Sequence, residues 1–131
     1  MRFADLETLL NPVRLGWPLH PGPIDLDLMP NMFIVATAYG GAGEAMEGLT
    51  DRTSWQVRVI GKQNDYTSAE TMALAIDRAF LRLPSSRIPS GLWVVAVSRI
   101  GGPPSALTRD NAKRTHFICS YSFEHELALA V

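Results

Sequence analysis

The chain has 131 residues, with 12 Lys and Arg against 13 Asp and Glu, which fits one compact domain of near-neutral charge. Its 47% apolar and 19% charged residues can build a core without staples and exclude global disorder. No basic run exceeds Lys113-Arg114 and Cys119 is the single cysteine, which argues against tight nucleic-acid binding by the monomer, an internal disulfide and structural zinc.

Phe3, Leu6, Leu9, Leu10 and Val13 recur at helical spacing, predicting a short amphipathic first helix frayed by Pro12. Asp5 and Glu7 stand where a signal peptide would place its apolar run, so no export signal is expected, and the single cysteine reads as that of a cytosolic chain. Between Gly16 and Pro30 come Pro18, Pro21, Pro23 and Gly22, a density that predicts an irregular arm over 16–30. Trp17, in that arm, has no predicted element to bury it and is a candidate anchor for a partner's pocket.

The β-branched and aromatic run Met32 to Tyr39 predicts a first strand, well short of the ~18–20 residues that span a bilayer. Four glycines then fall between Gly40 and Arg52, which reads as a long loop of the kind that is functional or mobile. From Ser54 to Ile60, Trp55, Val57 and Val59 alternate with Gln56 and Arg58, the period of a half-buried strand.

Thr67-Ser-Ala-Glu70 has the form of a capping box, ahead of a helix to about Leu83. Its buried stripe is Ala69, Met72, Ala73, Ile76, Phe80 and Leu83, its wet side Asp77, Arg78 and Arg82, and Pro84 ends it. Leu92 to Ser98 is continuous enough in apolar residues to be covered on both faces or to pair centrally. Gly101-Gly-Pro-Pro104 is expected to stop it. The fourth run, His116 to Glu126, sets Phe117, Cys119, Tyr121 and Phe123 against His116, Ile118, Ser120, Ser122 and Glu124. The expected fold is therefore α+β, a mostly antiparallel four-stranded sheet with helices packed on one face, in the order α-β-β-α-β-β.

A search for chemistry returns little. Cys119 and His116 fall on opposite faces of one strand, and His125 lies ~20 Å along it from Cys119, so no Cys/His dyad forms there. Gly41-Ala-Gly43 begins a GxGxxG that ends on Met46, and Gly61-Lys62 lacks the upstream glycine and following Ser or Thr of a P-loop. His20, His116 and His125 show no ligand spacing. Glu44 with Glu47, and Glu124 with Glu126, lie in settings too wet to separate their pKa values. No catalytic residue, cofactor or metal is expected.

One resemblance emerges from the second half. The strand Trp55-Gln-Val-Arg-Val59, the turn Asn64-Asp65-Tyr66, the helix 69–83, the strand 92–100, the loop Pro103-Pro104-Ser-Ala-Leu107-Thr-Arg109-Asp110 and the aromatic strand 116–126 together resemble the tail terminator proteins of long-tailed bacteriophages and related gene-transfer particles. These are also described as tail completion or minor capsid proteins. The resemblance runs from about Met32 to the C-terminus.

It implies a structural virion protein with no active site, assembled in the host cytoplasm. Its copies would form a homo-oligomeric ring, a hexamer in the family, at the head-proximal end of the tail. The ring would stop polymerisation of the major tail tube protein and dock the head-tail connector or stopper, with DNA passing through the lumen. A ring needs two different patches per subunit, which assigns Gly40, Gly41, Gly43, Glu44, Met46, Glu47, Leu49, Pro103, Pro104, Leu107, Arg109 and Asp110 to contact with tube or connector. The sheet edges, Trp17, Arg58 and Arg99 are assigned to the subunit interface, with Arg58, Arg99, Arg109 and Asp110 expected in intersubunit charge pairs. The rival readings are another connector or tail-tube component, and a small ligand-binding or enzymatic domain whose glycine loop closes over a substrate.

Overall fold

The computed structural model of the chain describes residues 1–25, 31–45, 50–107, 109, 110 and 112–127. Helix α1 spans Phe3–Leu10 and ends on Asn11, one residue before Pro12. The strands are β1 (Leu19–Pro21), β2 (Phe33–Ala45) and β3 (Thr50–Gln63), then, after helix α2 (Tyr66–Leu81), β4 (Ser86–Arg87), β5 (Trp93–Ala106) and β6 (Arg114–Glu126). They form one mixed sheet in the order β1-β2-β3-β6-β5-β4.

This corrects the expected four-stranded antiparallel sheet and its α-β-β-α-β-β order. The sheet has six strands, and β1 joins β2 in parallel. The extra strands are two and three residues long, too short to leave a period. Strand β1 sits within the proline-rich arm, because proline lacks only the N–H and an edge strand pairs through one side. Pro18 C=O accepts from Ile34 N–H at 2.8 Å, and Gly22 N–H donates to Ala36 C=O at 2.8 Å. A side chain at Gly22 would meet Thr37 Oγ1 at 2.1 Å and Val35 Cγ1 at 2.8 Å. Gly22→Ala is therefore expected to cost about 2 kcal/mol, read as a lower urea midpoint at unchanged slope; an unchanged midpoint would show that β1 yields without loss.

Apolar residues of α1 (Leu6, Leu10), α2 (Met72, Ile76, Phe80), β3 (Trp55, Val57, Val59) and β6 (Phe117, Tyr121, Phe123) form one cluster. Phe80 stands edge-on to Tyr121 and Phe123, with ring centroids 4.9 and 5.1 Å away. Among the described residues the opposite face carries a small cluster of Phe33, Val35 and Ile60, with Ile24 of the arm packed on it. Trp17 is 7% exposed and belongs to the main cluster. The turn after α1 and strand β1 hold it there, so the expectation that no element buries it is corrected.

Helix α2 begins earlier than the capping-box pattern suggests. Asp65 is the cap, accepting from Ser68 N–H at 3.0 Å, and Thr67 lies inside the first turn. Strand β5 differs more. It runs through Gly101 to Pro104 to reach Ala106, because the register against β6 shifts between Ile100 and Ser105 and the intervening residues bulge out. Apart from two residues paired with β4 it borders the sheet, and most of it is exposed rather than covered on both faces.

Candidate interaction surface

The glycine segment expected to be a loop is largely strand. Strand β2 continues through Gly40, Gly41, Gly43 and Glu44 to Ala45, and β3 begins at Thr50, with Gly43 opposite Arg52 and Glu44 opposite Asp51. Between Tyr39 and Gly43 the register slips by two residues, a bulge for which glycine is suited. Met46, Glu47 and Leu49 lie outside the described residues.

The second predicted segment sits at the other end of the same strands. Thr50 of β3 is opposite Glu126, whereas Gln63 is opposite Arg114, where the β5–β6 connection enters. The hairpin β2–β3 and the segment 103–113 therefore mark opposite ends of the sheet. Leu107 is 39% exposed and Pro103 is exposed, while Pro104 lines a small apolar void with Ile76 and Cys119. Arg109 donates to Asn64 Oδ1 and, at 3.2 Å, to Lys113 C=O, and Asn64 N–H reaches Lys113 C=O at 2.9 Å. The segment is thus clasped to the start of α2.

Asp110 lies inside this clasp. Its carboxylate accepts from Arg114 N–H at 2.9 Å, Arg114 Nε at 2.8 Å and His116 Nε2 at 2.8 Å. An ionised carboxylate only accepts, so His116 carries its proton on Nε2. Burial alone would raise the Asp110 pKa, but the hydrogen bonds from His116 and Arg114 and the charge of Arg114 outweigh it and lower the value to about 2.

Arg99, expected at a subunit interface, pairs within its own chain. It binds both carboxylate oxygens of Asp77, with Nε 2.9 Å from Oδ1, and Tyr121 OH donates to the same Oδ1 at 2.8 Å. Asp77, assigned by periodicity to the wet side of α2, is 5% exposed. Arg58 is half-buried in a recess of about 240 Å³ with Pro23, Ile24, Val35, Thr37 and Gln56. It has no ion pair among the described residues.

The face opposite the helices is built from cross-strand rows. Tyr39, Ser54, Ser122 and Ser98 form one row across β2, β3, β6 and β5; Thr37, Gln56, Ser120 and Ile100 form the next. Arg52 and Glu124 close the end at 3.7 Å. Between them lies a trough of about 440 Å³ floored by Ser54, Ser98 and Ser122. Its lining is hydroxyl-rich and its one charge pair is internally balanced.

Sequence reasoning missed a hydroxyl–imidazole pair that only the register creates. Thr53 Oγ1 lies 2.7 Å from His125 Nε2, and His125 Nδ1 donates to Glu126 C=O at 2.7 Å. This has the connectivity of a nucleophile, a base and its orienting group, but His125 is 1% exposed and the Met1 amino group stands 3.2 Å from both partners. Burial holds the His125 pKa below the ordinary imidazole value. The pair is structural, tying β3 to β6. Among the described residues no three His, Cys, Asp or Glu side chains group as metal ligands, and no helix is long and apolar enough to cross a membrane.

No family model matches the chain, and no curated protein is similar to it in sequence. Among solved structures, a chain from the virion of a native gene transfer agent particle is similar with a TM-score of 0.59, over 92% of this chain and 84% of that one, at 14% identity. A second solved chain is similar with a TM-score of 0.57, over 97% of this chain and 94% of its own, at 20% identity. Both likenesses are likenesses of fold.

Proposed function

We propose that the chain is a structural protein of a phage-like particle and, within it, the tail terminator. The observation that carries this reading is the fold shared with a gene transfer agent virion chain across nine-tenths of the sequence. Two further features support it. The hairpin β2–β3 and the clasped segment 103–113 extend the two ends of one sheet, giving a subunit separate faces for a tail tube below and a connector above. The open face offers a broad polar surface rather than a closed pocket with convergent groups.

In this reading copies of the chain close into a ring, six in number, at the head-proximal end of the tail. The ring caps the major tail tube protein, receives the connector or stopper, and lets DNA pass without sequence-specific contact. The sequence resemblance implies this role, and the fold shared with a virion chain supports the structural part of it. The chain carries out no reaction.

Electron microscopy of negatively stained particles made without the chain tests the proposal. Overlong, headless tubes beside filled heads are expected, because tube growth has lost its stop. Particles with joined heads and tails of normal length would overturn it; separated heads and tails with tubes of normal length would assign the chain to head-tail joining instead.

A further inference from the structure

Strand β5 has the composition of a covered strand in an uncovered place. Val95-Ala-Val-Ser-Arg-Ile100 contains one charge, and Arg99 spends it on Asp77 of the same chain. Among the described residues, strand pairing on the outer side is confined to Trp93 and Val94, which pair with β4. From Val95 onward that edge has no strand partner among the described residues, and Ile100 is 44% exposed. Monomeric proteins guard such edges with lysine, proline or very short strands; here the first proline comes at Pro103.

The other border of the sheet has the same character. Strand β1 covers β2 only over Ile34 to Ala36, and after the bond from Gly22 to Ala36 the arm turns onto the open face, where Ile24 packs on Phe33 and Val35. Among the described residues, Thr37 to Ala45 has no strand partner on that side, although Gly22 lies close to Thr37. No charged residue occurs in it before Glu44.

We propose that the free edge of β5 pairs with the free edge of β2 of the next copy, so that the sheets close into one continuous wall. This rests on the ring reading above and specifies how the ring is made. Strand directions support a second copy as the occupant. The pairs β2–β3, β3–β6 and β6–β5 are each antiparallel, so β5 runs opposite to β2. Rotation about an axis along the strands preserves direction, and the two edges then meet antiparallel, the more stable ladder. The contact is heterologous, joins two different patches and closes without leaving a free edge. Both helices pack on one face, which places them outside and turns the serine rows toward the bore. A hydroxyl-rich bore in which Arg52 is paired with Glu124 lacks the dense basic lining that would hold a polyanion.

Cysteine pairs test this in assembled particles. Thr37→Cys on β2 is combined with Ala96→Cys, Ser98→Cys or Ile100→Cys on β5, all on the open face, since a register step of two residues keeps the face. Buried Cys119 is common to every variant. Mild oxidation and a non-reducing gel are expected to give a ladder of multimers from one of the double variants, and none from single variants or from Ala38→Cys, on the opposite face, with Ser98→Cys. Where a double variant stays out of particles, the purified chain is oxidised and weighed by native mass spectrometry, with covalent multimers expected from the double variant alone. Absence of a ladder from every pair in particles with normal tails would overturn edge pairing while leaving the terminator reading intact. Dimers from Ser98→Cys alone would replace it with a two-fold β5–β5 contact. Normal tails on particles that lack the chain would overturn the terminator reading itself.

Discussion

Replacing Asp110 with alanine is expected to lower the stability of the fold by about 4 kcal/mol, the size typical of removing one partner from a buried ion pair. Arg114 and His116 are each 5% exposed, and both direct hydrogen bonds at this carboxylate. The Arg114 guanidinium also lies 5.6 Å from the centroid of the Phe33 ring, so the cluster ties the entry of β6 to the start of β2. The same geometry fixes an acid dependence. The Asp110 pKa falls from 3.8 to about 2 on folding, so the native state favours the ionised form. The stabilisation is complete above about pH 5 and is lost as the pH drops through the folded value, amounting to roughly 2 kcal/mol. Urea unfolding from pH 7 down to pH 2 should show wild type losing this increment relative to Asp110→Asn, which has no carboxylate to protonate. Parallel profiles for the two proteins would show that Asp110 contributes no acid sensitivity.

Asp77→Ala is expected to cost about 3 kcal/mol, at the upper end for stranding a buried hydrogen-bonding partner. Tyr121 is 1% exposed and its hydroxyl has Asp77 as acceptor at 2.8 Å. Burial, reinforced by hydrogen bonding and the nearby Asp77 charge, pushes its pKa far above the ordinary phenol value, so it stays a donor at any ordinary pH. Removing the acceptor strands that donor beneath α2. Removing both groups no longer strands the buried hydroxyl, leaving only the part-exposed Arg99 without its partner, and Asp77→Ala with Tyr121→Phe should therefore lose less than the sum of the single changes. Strict additivity would show that the hydroxyl finds another acceptor. The Asp77 pKa is itself held down, chiefly by the hydrogen bond from Arg99, so this contribution too is present above the ordinary carboxylate pKa and fades in acid. The cluster also fixes where β5 lies against α2, and with it the edge proposed above to join neighbouring copies.

Much of the local structure could be read from the chain. The stripe Ala69, Met72, Ala73, Ile76 and Phe80 is buried as its spacing requires, and the alternations about Trp55 and Tyr121 mark β3 and β6. These signals are local, because a helix or strand half-buried against one core repeats its burial every 3.6 or 2 residues. Asp77 marks the limit. By period it belongs to solvent, yet residues 22 and 44 positions along the chain enclose it.

The candidate site was less legible. Its two end segments were proposed from glycine and proline content, but that content does not separate a loop from a bulged strand; β2 and β5 each run through theirs. The serine rows could not be read, since each depends on the register of four strands distant in sequence. The sequence by itself determined two amphipathic helices, the alternating strands β3 and β6, and a chain with no local catalytic motif, because these are properties of neighbouring residues. Only the tertiary structure decided that the proline arm supplies a parallel strand, that Trp17 is buried, and that an apolar β5 lies at a border of the sheet. Those outcomes depend on long-range backbone pairing, which one strand's composition permits in several arrangements and only the packed whole selects.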